Sequence, residues 1–383
     1  MTPISPKLSS LGRLTYLIGF TLLGLQAFSC SAHYHEALEK SREKARLALR
    51  SGCPSCAREE YEKALQLSID QEEKESLELA RCETWSEEEK HEQAARCYET
   101  WSHGSPAPER APQGWLRAAR SWMRADKQSN AKESFKIILH RYPDASAASQ
   151  AFHGLLSFFE QEQKDLCLET GQLIEEDWPT KLLEEAYFAK GLACEPSAPQ
   201  SAISAYRHLL LLKGGRRFGR EGDAKVHLAK LLRRQDLSDD ALKELKPLLK
   251  KPPSAWGPGN YSSVAYEQAH LLALIIYSDE LGNVQKSEKI LRKMVKRFPD
   301  SRLLDDAIYY FATLPGSRKG CQWIETLGSL RPDSRYLKCS EANCQNDLNR
   351  GVTLQKCGAP RGQDWVFFEA SEPHRRAQEL APE

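Results

Sequence analysis

Cys53-Pro-Ser-Cys56 has the spacing of a thiol redox pair, and the residues after it, Ala57-Arg-Glu-Glu-Tyr61, begin a helix. A helix N-terminus stabilises thiolate and makes a cysteine placed there reactive. Redox domains built on such a pair set it after a strand in an α/β fold, and no strand pattern precedes Cys53. A structural disulfide, within the pair or to a neighbouring unit, is therefore the expected state. Ala57 stands where covalent haem attachment needs a histidine. Structural zinc calls for two Cys-x-x-Cys pairs, or Cys pairs with His pairs. Here one Cys-x-x-Cys stands alone, Cys339 and Cys344 have four residues between them, and the nearest later histidine is His374. His33-x-His35 reads as a solvated linker feature, with scope for adventitious metal only. Lys213-Gly-Gly-Arg-Arg-Phe-Gly-Arg220 is the densest basic stretch. It offers cations to phospholipid heads or peptidoglycan acids, but its glycines fit an inter-repeat loop, and it lacks the Gly-Lys-Ser/Thr ending of a phosphate-binding loop. Glu87–Glu89 and Glu184-Glu185 read as turn or surface charge. Neither a Gly-x-Ser-x-Gly elbow nor a His-Glu-x-x-His helix is present. No catalytic residue, metal or cofactor is expected.

Eleven cysteines punctuate the chain. Cys30 falls at the end of an apolar leader, and the other ten are an even set suited to disulfides in an oxidising compartment. Pairing each with its neighbour would give Cys53–Cys56, Cys82–Cys97, Cys167–Cys194, Cys321–Cys339 and Cys344–Cys357, although sequence alone does not fix connectivity. Cys167–Cys194 is the best-motivated long link, because it would staple the second helix of one unit to the first helix of the next.

Residues 1–29 read as a signal peptide. Lys7 and Arg13 precede an apolar run of about fifteen residues from Leu14, with small residues at its end. The run is short for a spanning helix, and the polar Ser31-Ala-His-Tyr-His-Glu36 follows. Ala27-Phe-Ser29 suits ordinary signal peptidase. Ser29-Cys30 resembles the end of a bacterial lipobox, in which the cysteine is acylated and becomes the new N-terminus, although Ala27 and Phe28 depart from the usual pattern. That resemblance implies an outer-membrane lipoprotein facing the periplasm, since Ser31 is not the inner-membrane retention Asp. Each buried methylene of such an anchor contributes ~0.8 kcal/mol of membrane affinity. Without acylation the same chain would be soluble in the periplasm.

The whole chain is 28% charged and balanced, with 54 Lys+Arg against 53 Asp+Glu and a formal charge of +1 across 383 residues. With 40% hydrophobic residues, that balance excludes a disordered chain. The single apolar stretch of near-spanning length excludes a polytopic membrane protein, and the near-neutral charge argues against grip on nucleic acid through bulk positive charge. From His33 to Ser334, runs of Ala, Leu, Glu, Lys and Arg alternate with Pro, Gly, Ser and Asp breaks, which is a succession of helices. In Gly114–Pro143, Trp115, Ala119 and Trp122 share one helix face. Ala131, Phe135 and Ile138 share another, and Arg-Tyr-Pro143-Asp closes the unit. Small residues let two antiparallel helices approach while large ones fill the groove. This pattern resembles the tetratricopeptide repeat (TPR). It recurs with Ala45, Ala57 and Tyr61; with Cys82, Trp85, Ala94, Tyr98 and Pro106; and with Gly154, Cys167 and Pro179. Further copies hold Tyr187, Gly191, Ala202 and Tyr206; Ala229, Leu232, Ala241, Leu245 and Pro253; Tyr277, Ser287, Leu291 and Pro299; and a degenerate pair from Leu303 to Pro332.

The expected fold is thus all-α: a TPR-like right-handed α-solenoid of about eight helix pairs over 30–334, with its first helices forming a concave wall. Residues 335–383 are expected to form a cysteine-rich cap and polar tail, with Trp365-Val-Phe-Phe368 as a short strand or latch. The resemblance extends to TPR lipoproteins of outer-membrane protein assembly and to periplasmic TPR coordinators of envelope integrity. It implies a non-enzymatic scaffold binding a protein or extended peptide, with peptidoglycan as a further possible contact and no nucleic acid. Alternatives are a soluble periplasmic adaptor, or the solenoid arm of a peptidoglycan-acting enzyme. The last would need a catalytic domain of about 150 residues, far more than follows the final repeat.

Overall fold

The helix-forming runs fold as their composition dictates, and the breaks between them become caps and turns. A computed structural model describes residues 34–104, 109–212, 220–250, 262–314, 319–334 and 336–337, and every regular element among them is a helix. The leader with Cys30 and His33, the basic stretch 213–219, Pro106, Pro253, and the cap with Cys339, Cys344, Cys357 and Trp365–Phe368 lie outside the described residues. No described helix is long and apolar enough to cross a membrane.

The chain divides into two compact units at Lys164/Asp165. The first holds α1 (34–50), α2 (Pro54–Leu67), α3 (Gln71–Glu87), α4 (His91–Gly104), α5 (Ala111–Arg124), α6 (Gln128–Arg141) and α7 (Ser146–Gln161). The second holds α8 (Leu166–Leu173), α9 (Thr180–Cys194), α10 (Pro199–Leu211), α11 (Arg220–Arg234), α12 (Ser238–Leu245), α13 (Ser262–Ile275), α14 (Val284–Arg297), α15 (Leu304–Ala312) and α16 (Gly320–Leu330). Among the described residues these are sixteen α-helices, seven in the first unit and nine in the second. The boundary falls between α7 and α8, so α7 ends one unit and α8 opens the next, where α8 packs on α9.

Turn geometry explains the period. Gly52, Glu89, Asp126 and Gln163 are all left-handed, 37 residues apart, each just after a first helix. In each turn the next N–H reaches five residues back: Cys53 to the Ala48 carbonyl, Lys90 to Trp85, Lys127 to Trp122 and Lys164 to Phe159. This six-to-one bond satisfies carbonyls that a helix end would otherwise leave open. Asp70, Asp165 and Asn283 cap later helices by accepting the N–H groups of Glu73, Leu168 and Lys286.

Packing follows the small–large rule. Ala57, Ala94 and Ala131 are fully buried on successive second helices, each followed four residues later by the buried ring of Tyr61, Tyr98 or Phe135. Close approach explains two glycines. A Cβ on Gly154 would sit 2.6 Å from the Phe135 ring, and one on Gly191 would sit 2.4 Å from the Tyr206 ring. In the second unit one apolar cluster runs from Phe188 through Leu274 and Phe311 to Leu337.

Candidate functional site: the face formed by the first helices

In the first unit the first helices are tied sideways to one another by polar side chains. Arg42 of α1 reaches Glu73 of α3 at 3.3 Å. Arg110, at the start of α5, pairs with Glu72 and Arg117 pairs with Glu83, both glutamates on α3. Arg120 donates to Gln150 of α7 at 2.7 Å, and Gln113 to Ser146 at 3.3 Å. Helix α5 packs on α7 as well as on α6. These links set α1, α3, α5 and α7 as neighbours, and Ser76, Arg120 and His153 stand exposed on them. The linking charges are striped: α3 carries Glu72, Glu73 and Glu83, whereas α5 and its N-cap carry Arg110, Arg117 and Arg120. A striped, laterally continuous face can read an extended partner through complementary charge.

The second unit continues this construction within itself, with α9 against α11 and α11 against α13. Glu195, at the end of α9, accepts from Tyr206 (2.6 Å) and His227 (2.7 Å), which joins α9, α10 and α11. Burial alone would raise this carboxyl, but the hydrogen bonds from His227 and Tyr206 outweigh it and hold Glu195 below the usual range. Past the end of α13, a π-helical turn over Ile276–Glu280 re-aims two acids. Asp279 accepts from Tyr310 of α15, while Glu280 engages Arg233 of α11 and Ser238 of α12. Ser287, fully buried where the repeat would place alanine, is satisfied by donating to the Leu274 carbonyl at 3.0 Å.

Glu184 corrects one sequence reading. It is not surface charge: it is 1% exposed on α9, and neither of its carboxyl oxygens has a hydrogen-bond partner. Burial pushes its carboxyl up to about 7, with Arg220 opposing and Glu221 and Glu185 adding to the rise. The sequence signal was available in the spacing, because Glu184 lies four residues before Phe188 and seven before Gly191, on the buried stripe of α9. Glu87, at the end of α3, and Glu89, in the turn after it, are exposed as expected, and Glu88 between them pairs with Arg58 of α2 at 2.7 Å. His35 sits on helix α1 rather than in a linker.

The described cysteines form three disulfides. Cys53–Cys56 closes the first turn of α2, Cys82–Cys97 joins α3 to α4, and Cys167–Cys194 joins α8 to α9. Cys82 occupies the small-residue position of its first helix, so this cross-link replaces alanine packing with a covalent bond inside one repeat. Cys321 is also disulfide-bonded. The expected Cys321–Cys339 and Cys344–Cys357 pairings involve residues outside those described. Among the described residues, no group of three or more His, Cys, Asp or Glu side chains is placed to hold a metal ion.

Residues 113–145, which cover most of α5, all of α6 and the Pro143 closure, match the tetratricopeptide-repeat family model. Among solved structures, the chain is similar to the C-terminal part of a TPR repeat-containing protein from Cytophaga hutchinsonii. The identity is 12% and the TM-score 0.40, over 69% of this chain and 98% of that one. It is also similar to a tetratricopeptide repeat protein from Parabacteroides merdae, at 11% identity and a TM-score of 0.31, over 71% of this chain and 97% of that one. No curated protein matches the sequence.

Proposed function

We propose that the chain is a non-enzymatic docking scaffold, held in the bacterial envelope by acylation of Cys30, whose first helices bind a protein or extended peptide. The observation that supports this reading most is the sideways linkage of α1, α3, α5 and α7 through Arg42–Glu73, Arg110–Glu72, Arg117–Glu83 and Arg120–Gln150. Such links hold separate repeats in one register, so that charges from several of them face the same partner. The match of residues 113–145 to a repeat used widely for protein contacts supports the same conclusion. The basic leader, apolar run and terminal cysteine support the envelope tether and an outer-membrane, periplasm-facing position. A soluble periplasmic adaptor is the alternative if Cys30 is not acylated, and the mass of the mature N-terminus separates the two.

The test places photo-cross-linking residues at Ser76, Arg120 and His153 in the native envelope, with Glu62 and Lys136 on second helices as controls. A partner should be captured from the first-helix positions and not from the controls; equal capture from both sets would overturn the assignment of the face. Cys30→Ala should release a folded chain from membranes. Retention of that variant through a high-salt wash would exclude the lipid tether.

A further inference from the structure

The three described disulfides are not equivalent. Cys82 and Cys194 are 1% and 0% exposed, so two of the bonds run into the core. Cys53–Cys56 lies at the surface, with Cys53 half-buried and Cys56 exposed. Its sequence separation is 3, against 15 and 27 for the others, so it restricts the unfolded chain least. The turn that carries it does not depend on it. Gly52 is left-handed at φ +76, the Cys53 N–H closes α1 on the Ala48 carbonyl, and the Ala57 N–H opens α2 on the Cys53 carbonyl. In the next three turns the 37-residue register puts Lys90, Lys127 and Lys164 in the place of Cys53, with the same backbone bond and no disulfide.

We propose that Cys53–Cys56 is a thiol–disulfide exchange site whose substrate is a polypeptide presenting two cysteine thiols. The geometry assigns the roles. Cys53 is the N-cap of the fourteen-residue α2, and its Sγ accepts the Cys56 N–H at 3.4 Å. The Ser55 hydroxyl lies 3.7 Å from the same sulfur. Pro54 begins the helix, where its missing N–H costs nothing. These groups favour a thiolate on Cys53. An incoming client thiolate attacks the exposed Cys56 sulfur, the S–S bond breaks, and Cys53 departs as the stabilised thiolate, the better leaving group. The client's second thiolate then attacks its own sulfur in the mixed disulfide with Cys56 and releases Cys56. The client gains a disulfide and loses two electrons and two protons; Cys53 and Cys56 gain both and become thiols. The expected disulfide reading stands for the resting state, and the structure adds that this bond is open to attack.

The full chain, equilibrated in graded glutathione buffers, quenched by alkylation and read by peptide mass spectrometry, tests the proposal. Cys53–Cys56 should open at a reducing ratio about 100-fold milder than either Cys82–Cys97 or Cys167–Cys194. Opening together with them, or after them, would overturn it. In a second measurement a synthetic two-cysteine peptide is the substrate. The oxidised chain should convert one equivalent to the disulfide about tenfold faster than the excised 52–61 peptide carrying the same bond. A chain with Cys53→Ser and Cys56→Ser, checked for unchanged helicity, should convert none. A rate no greater than the excised peptide's, or equal conversion by the double variant, would sink the assignment.

Discussion

The first unit repeats its turns at a fixed period; among the described turns of the second, that form recurs between α11 and α12, where Asp236 is left-handed and the Leu237 N–H reaches the Leu232 carbonyl. Before Lys164 the left-handed residues are evenly spaced, and each turn closes with the same backbone bond. After Asp165, Asp236 and Gly282 are 46 residues apart, and the α9–α10 turn has no left-handed residue. Side chains add to the registering there. Glu195 gathers Tyr206 and His227; Asp279 and Glu280 gather Tyr310, Arg233 and Ser238; and Ser301 donates to Glu267 at 2.7 Å while its carbonyl accepts from Arg331 at 3.0 Å. The apolar packing differs in the same sense. One cluster of the first unit holds α1, α2 and α3 through Leu38, Ala45, Ala57, Tyr61, Ala64 and Leu77, whereas a single cluster of the second extends from α9 to α16. Regular turns permit local cores. Irregular turns are offset by long-range bonds and a shared core.

The largest effects should come from cavities. Phe311→Ala in the second cluster should cost ~3–5 kcal/mol in denaturant unfolding. It should also speed amide exchange throughout α11–α16, because that core is shared. Tyr61→Ala should speed exchange only in α1–α3. If both variants loosened only the helices touching the lost ring, the contrast between the two units would be wrong. Cross-links come next. Replacing Cys167 and Cys194 by Ser should cost about 3.5 kcal/mol, and replacing Cys82 and Cys97 about 3, on loop length alone. The first pair of changes should free α8 from α9, and the second should loosen one repeat. Reversal of that order in paired melting curves would show that native packing, not loop closure, sets the contribution of each bond.

Much of this architecture was legible because helix periodicity is a short-range property. Trp115, Ala119 and Trp122 announce their face by spacing alone, and so do Ala131, Phe135 and Ile138. The three disulfides follow chain proximity, which is what stacked hairpins impose. The turns were less legible. Glu89, Asp126 and Gln163 take a conformation that glycine would have advertised, because backbone hydrogen bonding at a helix end outweighs the modest cost of a Cβ there. Nothing in Ile276-Tyr-Ser-Asp-Glu280 marks a π turn, since its cause lies in partners 30 to 50 residues away. Glu184 was misread because a charged type weighed more than its place on a buried stripe. The face that supports docking was legible only as a set of first helices; its Arg–Glu links join residues more than thirty positions apart.

The last contrast concerns acids and is the finest. In the first unit carboxylates are held down by cations: hydrogen bonds from Arg58 and Lys90 lower Glu88, and those from Lys132 and Lys164 lower Glu162. In the second unit burial holds two groups in their neutral forms. Glu184 is raised from 4.5 to about 7. His270 is fully buried; its Nδ1–H donates to the Tyr266 carbonyl at 2.7 Å and its Nε2 has no partner. Burial lowers it from 6.5 to about 4, and Arg297 and Lys293 add to that fall. The two act in opposite directions. Folded Glu184 keeps a proton that the unfolded chain has lost, so its contribution to stability falls as pH rises from 4.5 to about 7. Folded His270 lacks a proton that the unfolded chain binds, so its contribution falls as pH drops from 6.5 to about 4. Each slope is at most ~1.4 kcal/mol per pH unit. Relative to the wild type, Glu184→Gln should therefore gain stability as pH rises through its window, and His270→Leu should gain as pH falls through its own. Urea unfolding at half-unit pH steps would show the two difference curves crossing. Parallel curves would mean that neither buried group titrates against folding, and that the second unit tolerates its buried polar groups for some reason other than keeping them neutral.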